Sequence, residues 1–437
     1  MNLLSSTLFR ILVLSIISLS LIGVYVIGTP TQWNPGGWGE VLLNGMGLYL
    51  IGLFLRTVFY LGFSFMDFIK RTQMGEPIKY PLVTIIIPCY NEEVVIQTAI
   101  LSATKVHYPN LEILVIDDGS TDNTLQKSLE ISQNHKNVRV VNKPNGGKAD
   151  ALNWGLREAY GEYVLCVDAD SILDSKALMY SVPYLENDPT IAAVAGSVLI
   201  GNSKSNMLTR FQHLEYIIGL NFYKTAQSYL GIVTIVPGPI GLFRRKTVID
   251  AGAYTTDTFA EDCDLTIRLL MNGYQIKYRP EMKAYTEAPE SIQALFTQRY
   301  RWSRGVIQAI VKNAHHLKSK KTNFRNQIIL LQMIGDSIVI PLTNYVFSMG
   351  TIIYALQSQE FIQGFFGPFF LGLVTLDVLL TLFSSFDNSN ILSLSGLTFL
   401  NRMTYGLAME IVRFFAMLDE LIGVPMKWGF LKRKGLS

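Results

Sequence analysis

The chain has 437 residues, 49 % of them hydrophobic and only 16 % charged, with 37 basic against 34 acidic side chains for a net charge of +3. That charged share is well below the roughly 25 % of soluble domains, and the near-balance removes any electrostatic reason to seek nucleic acid. With three scattered cysteines (Cys89, Cys166, Cys263), the composition excludes disorder, collagen, a disulfide scaffold and a zinc site, but not a membrane protein.

The first apolar block, Ile11 to Gly28, carries no charge and is long enough to cross a hydrocarbon core of about 30 Å. No A-x-A-like cleavage site follows it, which argues against a signal peptide. A second block, Val41 to Met66, holds one charge, Arg56; two later ones, Gln327 to Leu356 and Phe361 to Phe386, hold Asp336 and Asp377. Charges at such depth face a bundle interior or a watery path; the bland alternative is snorkelling, or pairing of Arg56 with one of the acids. Tyr405 to Ile422 reads as an amphipathic helix, at the interface or in the bundle, so the spans number four or five. The soluble stretch between, about Pro81 to Arg325, is flanked by Lys70, Arg71, Lys79, Lys318, Lys320, Lys321 and Arg325, which points it to the cytoplasm. A fifth span would carry the basic tail Lys432-Arg433-Lys434 to the other side, against that tendency. Unpaired thiols agree with a reducing compartment.

Within the soluble stretch, strands and helices alternate. Leu82 to Ile87 is a β-branched run stopped by Pro88, a buried strand; Asn91 is then suited to cap a helix with Val95, Ile96, Ala99 and Ile100 inward. Glu112 to Ile116 makes a second strand ending in Asp117-Asp118-Gly119-Ser120, and a helix from about Asp122 leads to a third at Val138 to Val141. Asn145-Gly146-Gly147 turns into a helix from Lys148, and Tyr163 to Val167 gives a fourth strand ending in Asp168-Ala169-Asp170. Such alternation predicts a parallel, doubly wound α/β sheet with ligands at the carboxyl ends of its strands. No G-x-G-x-x-G follows the first strand and no G-x-x-x-x-G-K-[ST] occurs, so the dinucleotide version of the fold fails.

Asp168 and Asp170, alternate residues at a strand end, suit one hard cation, Mg²⁺ or Mn²⁺, completed by substrate phosphates; the bland alternative is a polar turn. Asp117 and Asp118 admit the same alternative. Lys148, after two glycines at a helix start, suits an anionic phosphate or a solvated surface. Glu261-Asp262 opens a helical run and serves either as capping charge or as general base for a hydroxyl. Gln298-Arg299-Tyr300-Arg301-Trp302 lies in an amphipathic helix pattern, where Arg beside Trp binds a pyrophosphate and stacks a sugar, or Trp anchors at an interface.

Taken in order, Pro88-Cys-Tyr-Asn-Glu-Glu93, Asp117-Asp-Gly-Ser120, Gly147-Lys-Ala-Asp-Ala-Leu-Asn153, Asp168-Ala-Asp170, Pro237-Gly238 with Phe243-Arg-Arg245, Glu261-Asp262 and Gln298-Arg-Tyr-Arg-Trp302 form a recognisable series. It resembles the membrane-embedded, inverting family 2 glycosyltransferases, among them poly-N-acetylglucosamine, hyaluronan, chitin and cellulose synthases. The resemblance implies a doubly wound, GT-A-like cytosolic domain inserted between N- and C-terminal transmembrane helices. Residues 1–75 would hold two helices, 76–290 the glycosyltransferase domain, 291–325 amphipathic interfacial helices with Gln-x-x-Arg-Trp, and 326–437 the C-terminal helices and basic tail. By the same resemblance Tyr90 and Glu92, with Asp117 or Asp118, hold the uridine, and Lys148 contacts the nucleotide side of the donor. Asp168 and Asp170 hold the metal, Asp262 takes the acceptor proton, and Gln298, Arg301 and Trp302 bind the acceptor sugar and pyrophosphate. The implied partners are a UDP-sugar, a glycan or lipid acceptor, membrane lipids and a small membrane subunit, at a bacterial inner or plasma membrane. Two features depart from the pattern: Ala260 stands where many such synthases have Thr before Glu-Asp, and no regulatory barrel of the cellulose synthase kind follows Ile422. A processive polymer synthase is the first expectation, a glycolipid synthase adding one sugar the second, and a non-enzymatic scaffold the third.

Overall fold

The computed structural model of the chain describes residues 37–319, 323–357, 367–384, 391–425 and 434–436. The block Ile11 to Gly28, both ends of Phe361 to Phe386, Lys320, Lys321, Lys432 and Arg433 lie outside those residues. Helix α1 (Gly37–Thr72) leads into β1 (Val83–Cys89), α2 (Ile96–Thr104), β2 (Leu111–Asp117), α3 (Thr124–Asn134), β3 (Val138–Asn142), α4 (Lys148–Glu158), β4 (Tyr163–Cys166), β5 (Ile172–Leu173), α5 (Ala177–Asn187) and β6 (Ile191–Ile200). There follow α6 (Met207–Glu215), α7 (Tyr223–Leu230), β7 (Gly241–Arg244), α8 (Arg245–Asp250), α9 (Glu261–Met271), β8 (Gln275–Thr286) and α10 (Ile292–Asn313). The late helices are α11 (Phe324–Ile334), α12 (Ile340–Gln357), α13 (Gly367–Ser384), α14 (Ile391–Leu400) and α15 (Leu407–Leu421).

Strand β1 is buried along its whole length. Ile85 and Ile87 pack with Ile96 and Ile100 of α2, whereas Ile86 packs with Leu152 and Leu156 of α4. Both faces of the strand are covered, and so its sequence runs apolar without alternation.

Eight strands lie in the order β3-β2-β1-β4-β7-β6-β8-β5. β1 pairs in parallel with β2 and β4, and β2 with β3, which is the expected doubly wound half. Beyond β4 the all-parallel expectation needs correction: β7 runs antiparallel to β4 and β6, and β5 to β8, so the sheet is mixed. A strand entered from the end where its neighbour finished can only run antiparallel, and β7 follows β6 in this way, without a crossover. Asn91 also differs from expectation. Helix α2 starts at Ile96, and Asn91 instead adopts a left-handed backbone (φ 54°) with its Oδ1 accepting from the Thr121 amide at 2.8 Å. Asn tolerates that conformation, and here it ties the loop after β1 to the loop after β2.

Helix α6, a π-helical turn (Tyr216–Phe222) and α7 run on without a break between the sheet and the flanking helices. Phe222 and Ala226 pack on Tyr60 and Leu61 of α1 and Phe383 of α13, and Leu214 and Ile217 on Leu394 and Leu397 of α14. Arg71 in the last turn of α1 donates to Glu281 of β8 at 2.8 Å, and Arg279 donates back to the Arg71 carbonyl at 3.1 Å. Among the described residues, Gly45–Thr72 and Phe324–Ile353 are long and apolar enough to cross a membrane. Charges inside the apolar blocks are paired: Arg56 meets Asp336 at 2.9 Å, and Asp377 meets Arg402 at 2.6 Å. Lys434 lies against the segment that follows β8, its Nζ 2.6 Å from Glu290 and its amide donating to Glu287 at 2.9 Å.

Helix α10 is fastened to α9 by Asp264, which is fully buried. Its carboxylate accepts from Arg268 and Thr255 at 2.9 Å and from Lys312 and Asn313 at 3.0 Å. Removing one partner of a buried ion pair leaves the other charges uncompensated. Asp264→Ala is expected to lower stability by about 3 kcal/mol and to reduce the thermal unfolding midpoint of the purified protein; an unchanged midpoint would contradict this anchoring.

Candidate active site

Negative charge collects where the parallel strands end. Asp117 closes β2 fully buried, its Oδ2 accepting from the Ser120 amide at 3.1 Å and its Oδ1 lying 3.9 Å from Cys89 Sγ. Tyr90 and Glu92 follow β1 half-buried, with the Glu92 amide donating to Thr124 Oγ1 at 2.8 Å. Asp118 has other partners. Its Oδ1 accepts from Lys143 and from the Gly146 amide at 2.9 Å, and its Oδ2 from the Gly147 amide at 2.7 Å. The two glycine amides ahead of α4 are therefore taken by Asp118.

Lys148, the first residue of α4, reaches across the rim. Its Nζ lies 2.6 Å from Asp168 Oδ1 and 3.4 Å from Glu261 Oε1. Burial opposes the Lys148 charge, but Asp168, Glu261 and Asp262 outweigh it and hold the ammonium above its ordinary value. Asp262, in the first turn of α9, is half-buried and accepts from the Gly238 amide at 3.3 Å. A Cβ at Gly238 would stand 2.9 Å from Lys148 Nζ and 3.4 Å from the Asp168 carboxylate, which places this loop against the cluster. Lost hydration, and then the adjacent Glu261 charge, push the Asp262 carboxyl up to about 6. Asp170 is buried nearby, accepting from Ser171 Oγ at 3.2 Å. Burial also raises the three free thiols: Cys89, Cys263 beside Asp262, and Cys166, which it pushes up to about 11.

Asp168 and Asp170 fit a divalent cation by their donor chemistry. They are two hard carboxylates, and Asp168 already pairs with a cation in the form of Lys148. Among the described residues no three or more His, Cys, Asp or Glu side chains gather into an ion site, so substrate phosphates would have to complete the shell.

Helix α10 forms the other wall, capped by Ser291 Oγ accepting from the Ala294 amide at 3.3 Å. Gln298 and Arg299 are buried, Arg301 half-buried, and Trp302 packs partly buried on the sheet core. Arg299 donates to Gln298 Oε1 at 2.6 Å and to Glu215 Oε2 at 2.8 Å, and its guanidinium lies 4.4 Å over the Trp302 ring. At Gly305 a Cβ would stand 2.8 Å from the Ala260 nitrogen and from the Phe259 carbonyl carbon. Only glycine lets α10 rest on the two residues that precede Glu261-Asp262. Gln308 accepts from the Phe259 amide and donates to Glu420, both at 3.1 Å. Tyr300 donates to Asp419 at 2.6 Å and Arg304 to Glu420 at 2.7 Å, binding the same helix to α15. Sequence reasoning misses Glu215, Gly305 and Gln308. For Glu215 a signal exists: it is a lone acid entering the apolar helical run Tyr216-Ile-Ile-Gly-Leu220.

Residues 84–251 match the domain described as glycosyl transferase family 2. A poly-beta-1,6-N-acetyl-D-glucosamine synthase of Staphylococcus epidermidis is 31 % identical over 328 residues, covering 73 % of this chain and 78 % of that protein. The synthase of that name from Staphylococcus aureus strain COL is 35 % identical over 231 residues, 53 % of this chain and 56 % of that one. In fold the chain is similar to the mannosyltransferase PcManGT from Pyrobaculum calidifontis, solved with GDP-Man and Mn²⁺, at a TM-score of 0.58 and 21 % identity over 84 % of this chain and 97 % of that one. The mixed sheet, its acidic rim and these similarities agree: the chain belongs to glycosyl transferase family 2.

Proposed function

We propose that this glycosyltransferase is an inverting, processive synthase. It moves N-acetylglucosamine from its UDP donor to the growing end of a β-linked poly-N-acetylglucosamine and passes the polymer out between its flanking helices. The observation that carries the reading is Asp262, a half-buried carboxyl pushed up to about 6 beside the Glu261 that shares Lys148 with Asp168. A base for a sugar hydroxyl needs that combination of enclosure and proton affinity. Similarity to poly-beta-1,6-N-acetyl-D-glucosamine synthases over most of the chain supports the polymer over the single-sugar lipid product. The two long apolar helices, Lys70 and Arg71 at the end of α1, and Lys434 against the segment that follows β8 support a multi-pass protein with its catalytic domain in the cytoplasm.

Tyr90, Glu92 and Asp117 hold the uridine, while Asp118 keeps the Gly146-Gly147 loop in shape beside it. Asp168 and Asp170 would hold Mg²⁺ or Mn²⁺, which supplies Lewis-acid stabilisation of the departing diphosphate. Lys148 adds its ammonium on the nucleotide side, and Arg301 holds the pyrophosphate. Gln298 and Trp302 grip the terminal acceptor sugar. Asp262 then takes the hydroxyl proton as the acceptor oxygen bonds to the anomeric carbon and the bond to the UDP oxygen breaks. One displacement inverts that carbon, so an α-linked donor yields a β-linked product, with UDP and protonated Asp262 left behind.

Asp262→Asn should keep UDP binding within a few-fold and lose roughly 10³-fold or more in transfer, as expected for a base rather than a binding group; transfer near the wild-type rate would refute the assignment. Only the ionised carboxylate accepts a proton, so the transfer rate should fall about tenfold per unit below about pH 6 and level off above it. Gly305→Ala should displace α10 from Ala260 and cut transfer by about 10²-fold, because a shift of about 1 Å at the reacting groups costs that much. Membranes given radiolabelled UDP-N-acetylglucosamine should place label in large material digestible by a β-N-acetylhexosaminidase. Label confined to an organic extract, one sugar per lipid, would overturn the polymer reading.

A further inference from the structure

One half-buried carboxylate on the acceptor side takes no part in this chemistry. Glu215 ends α6 where the helix widens into the π turn, and π turns inside α-helices often mark function. Its Oε2 accepts from Arg299 at 2.8 Å and from Tyr405 Oη at 2.6 Å, and Arg413 approaches Oε1 at 3.6 Å. Burial pushes this carboxyl up, but Arg299, Arg413 and the Tyr405 hydroxyl outweigh it and leave it below its ordinary value.

Arg299 distributes that anchorage. One edge of its guanidinium holds Glu215, the other donates to Gln298 Oε1 at 2.6 Å, and its face covers the Trp302 ring at 4.4 Å and the Tyr216 ring at 5.5 Å. A planar fork can fix an amide and an indole together in this way, whereas the flexible point charge of lysine cannot. With its oxygen accepting from Arg299, Gln298 keeps its NH₂ group to donate to an oxygen of whatever occupies the acceptor side. A buried ion pair is weak support for stability, since apolar residues of similar volume would pack as well. Direction is what the pair supplies. Tyr405 lies in the π turn between α14 and α15 and Arg413 in α15, so the same carboxylate also receives the flanking helices.

We infer that Glu215 and Arg299 are positioning residues that set Gln298 and Trp302 for the acceptor chain, and that the helix carrying Tyr405 and Arg413 sets their alignment in turn. The inference rests on the reading of Gln298 and Trp302 as acceptor-binding. It locates control of chain elongation in a pair that touches neither the nucleotide nor the reacting atoms.

The test uses the full-length protein in lipid nanodiscs, with Glu215→Gln, Arg299→Lys, Tyr405→Phe and Gln298→Ala. For each variant, acceptor KM is measured with a short β-1,6-linked N-acetylglucosamine oligosaccharide, together with product length, acceptor-independent hydrolysis of UDP-N-acetylglucosamine and thermal unfolding. Glu215→Gln and Arg299→Lys should each raise the acceptor KM about tenfold or more and shorten the product, with donor hydrolysis within about twofold of wild type. The double variant should be little worse than either single one, because the two residues act as a unit, and Tyr405→Phe should give a smaller shift in the same direction. Donor hydrolysis falling in step with transfer would overturn the inference by reducing the pair to structural glue. If Gln298→Ala raises the acceptor KM while the pair's variants leave it unchanged, the inference alone fails. If Gln298→Ala itself leaves that KM unchanged, the acceptor reading fails and the inference falls with it.

Discussion

Six carboxylates, Asp117, Asp118, Asp168, Asp170, Glu261 and Asp262, crowd the rim where the parallel strands end, and their mutual repulsion must be relieved for the sheet to close. The described structure relieves it unequally. Lys143 and two glycine amides satisfy Asp118, while Lys148 is divided between Asp168 and Glu261. Asp262 is left with backbone amides, from Gly238 at 3.3 Å and Cys263 at 2.7 Å. Its raised proton affinity thus comes from its own enclosure and then from the adjacent Glu261 charge, which Lys148, divided between Asp168 and Glu261, offsets only in part.

The same rim depends on a wall that the sheet does not supply. α10 meets it through the bare backbone at Gly305 and through Gln308, and turns the adjoining face, with Tyr300 and Arg304, to the end of α15. Helix α10 therefore couples the residues that lead into Asp262 to the late helices. Glu420 receives both Arg304 and Gln308, so one carboxylate sets the height of the helix above the Phe259-Ala260 backbone.

Features set by local sequence were legible before any coordinates. β1 to β4, the acids at the ends of β2 and β4 and the helical spacing around Gln298 follow from runs of a few residues, and each lies where that reading puts it. The antiparallel half of the sheet was not legible, because β7 and β5 are four and two residues long and their direction depends on where distant strands finish. Asn suits caps, so local sequence offers Asn91 as one, but its partner Thr121 is 30 residues away. The partners of Asp118 are as remote: the amides that donate to its oxygens lie 28 and 29 residues on. Arg402 and Glu215 likewise gain meaning from partners remote in the chain, Asp377 and Arg299.

The three cysteines stand beside the acids: Cys89 against Asp117, Cys166 two residues before Asp168, and Cys263 directly after Asp262. All are buried and held protonated, and a protonated, enclosed thiol is a poor nucleophile. Peroxides and electrophiles that disarm thiol-dependent enzymes find no point of attack on the closed rim. Alkylating reagents reach these sulfurs only while the rim is open, which turns the three thiols into native reporters of how often, and at which strand, this sheet breathes.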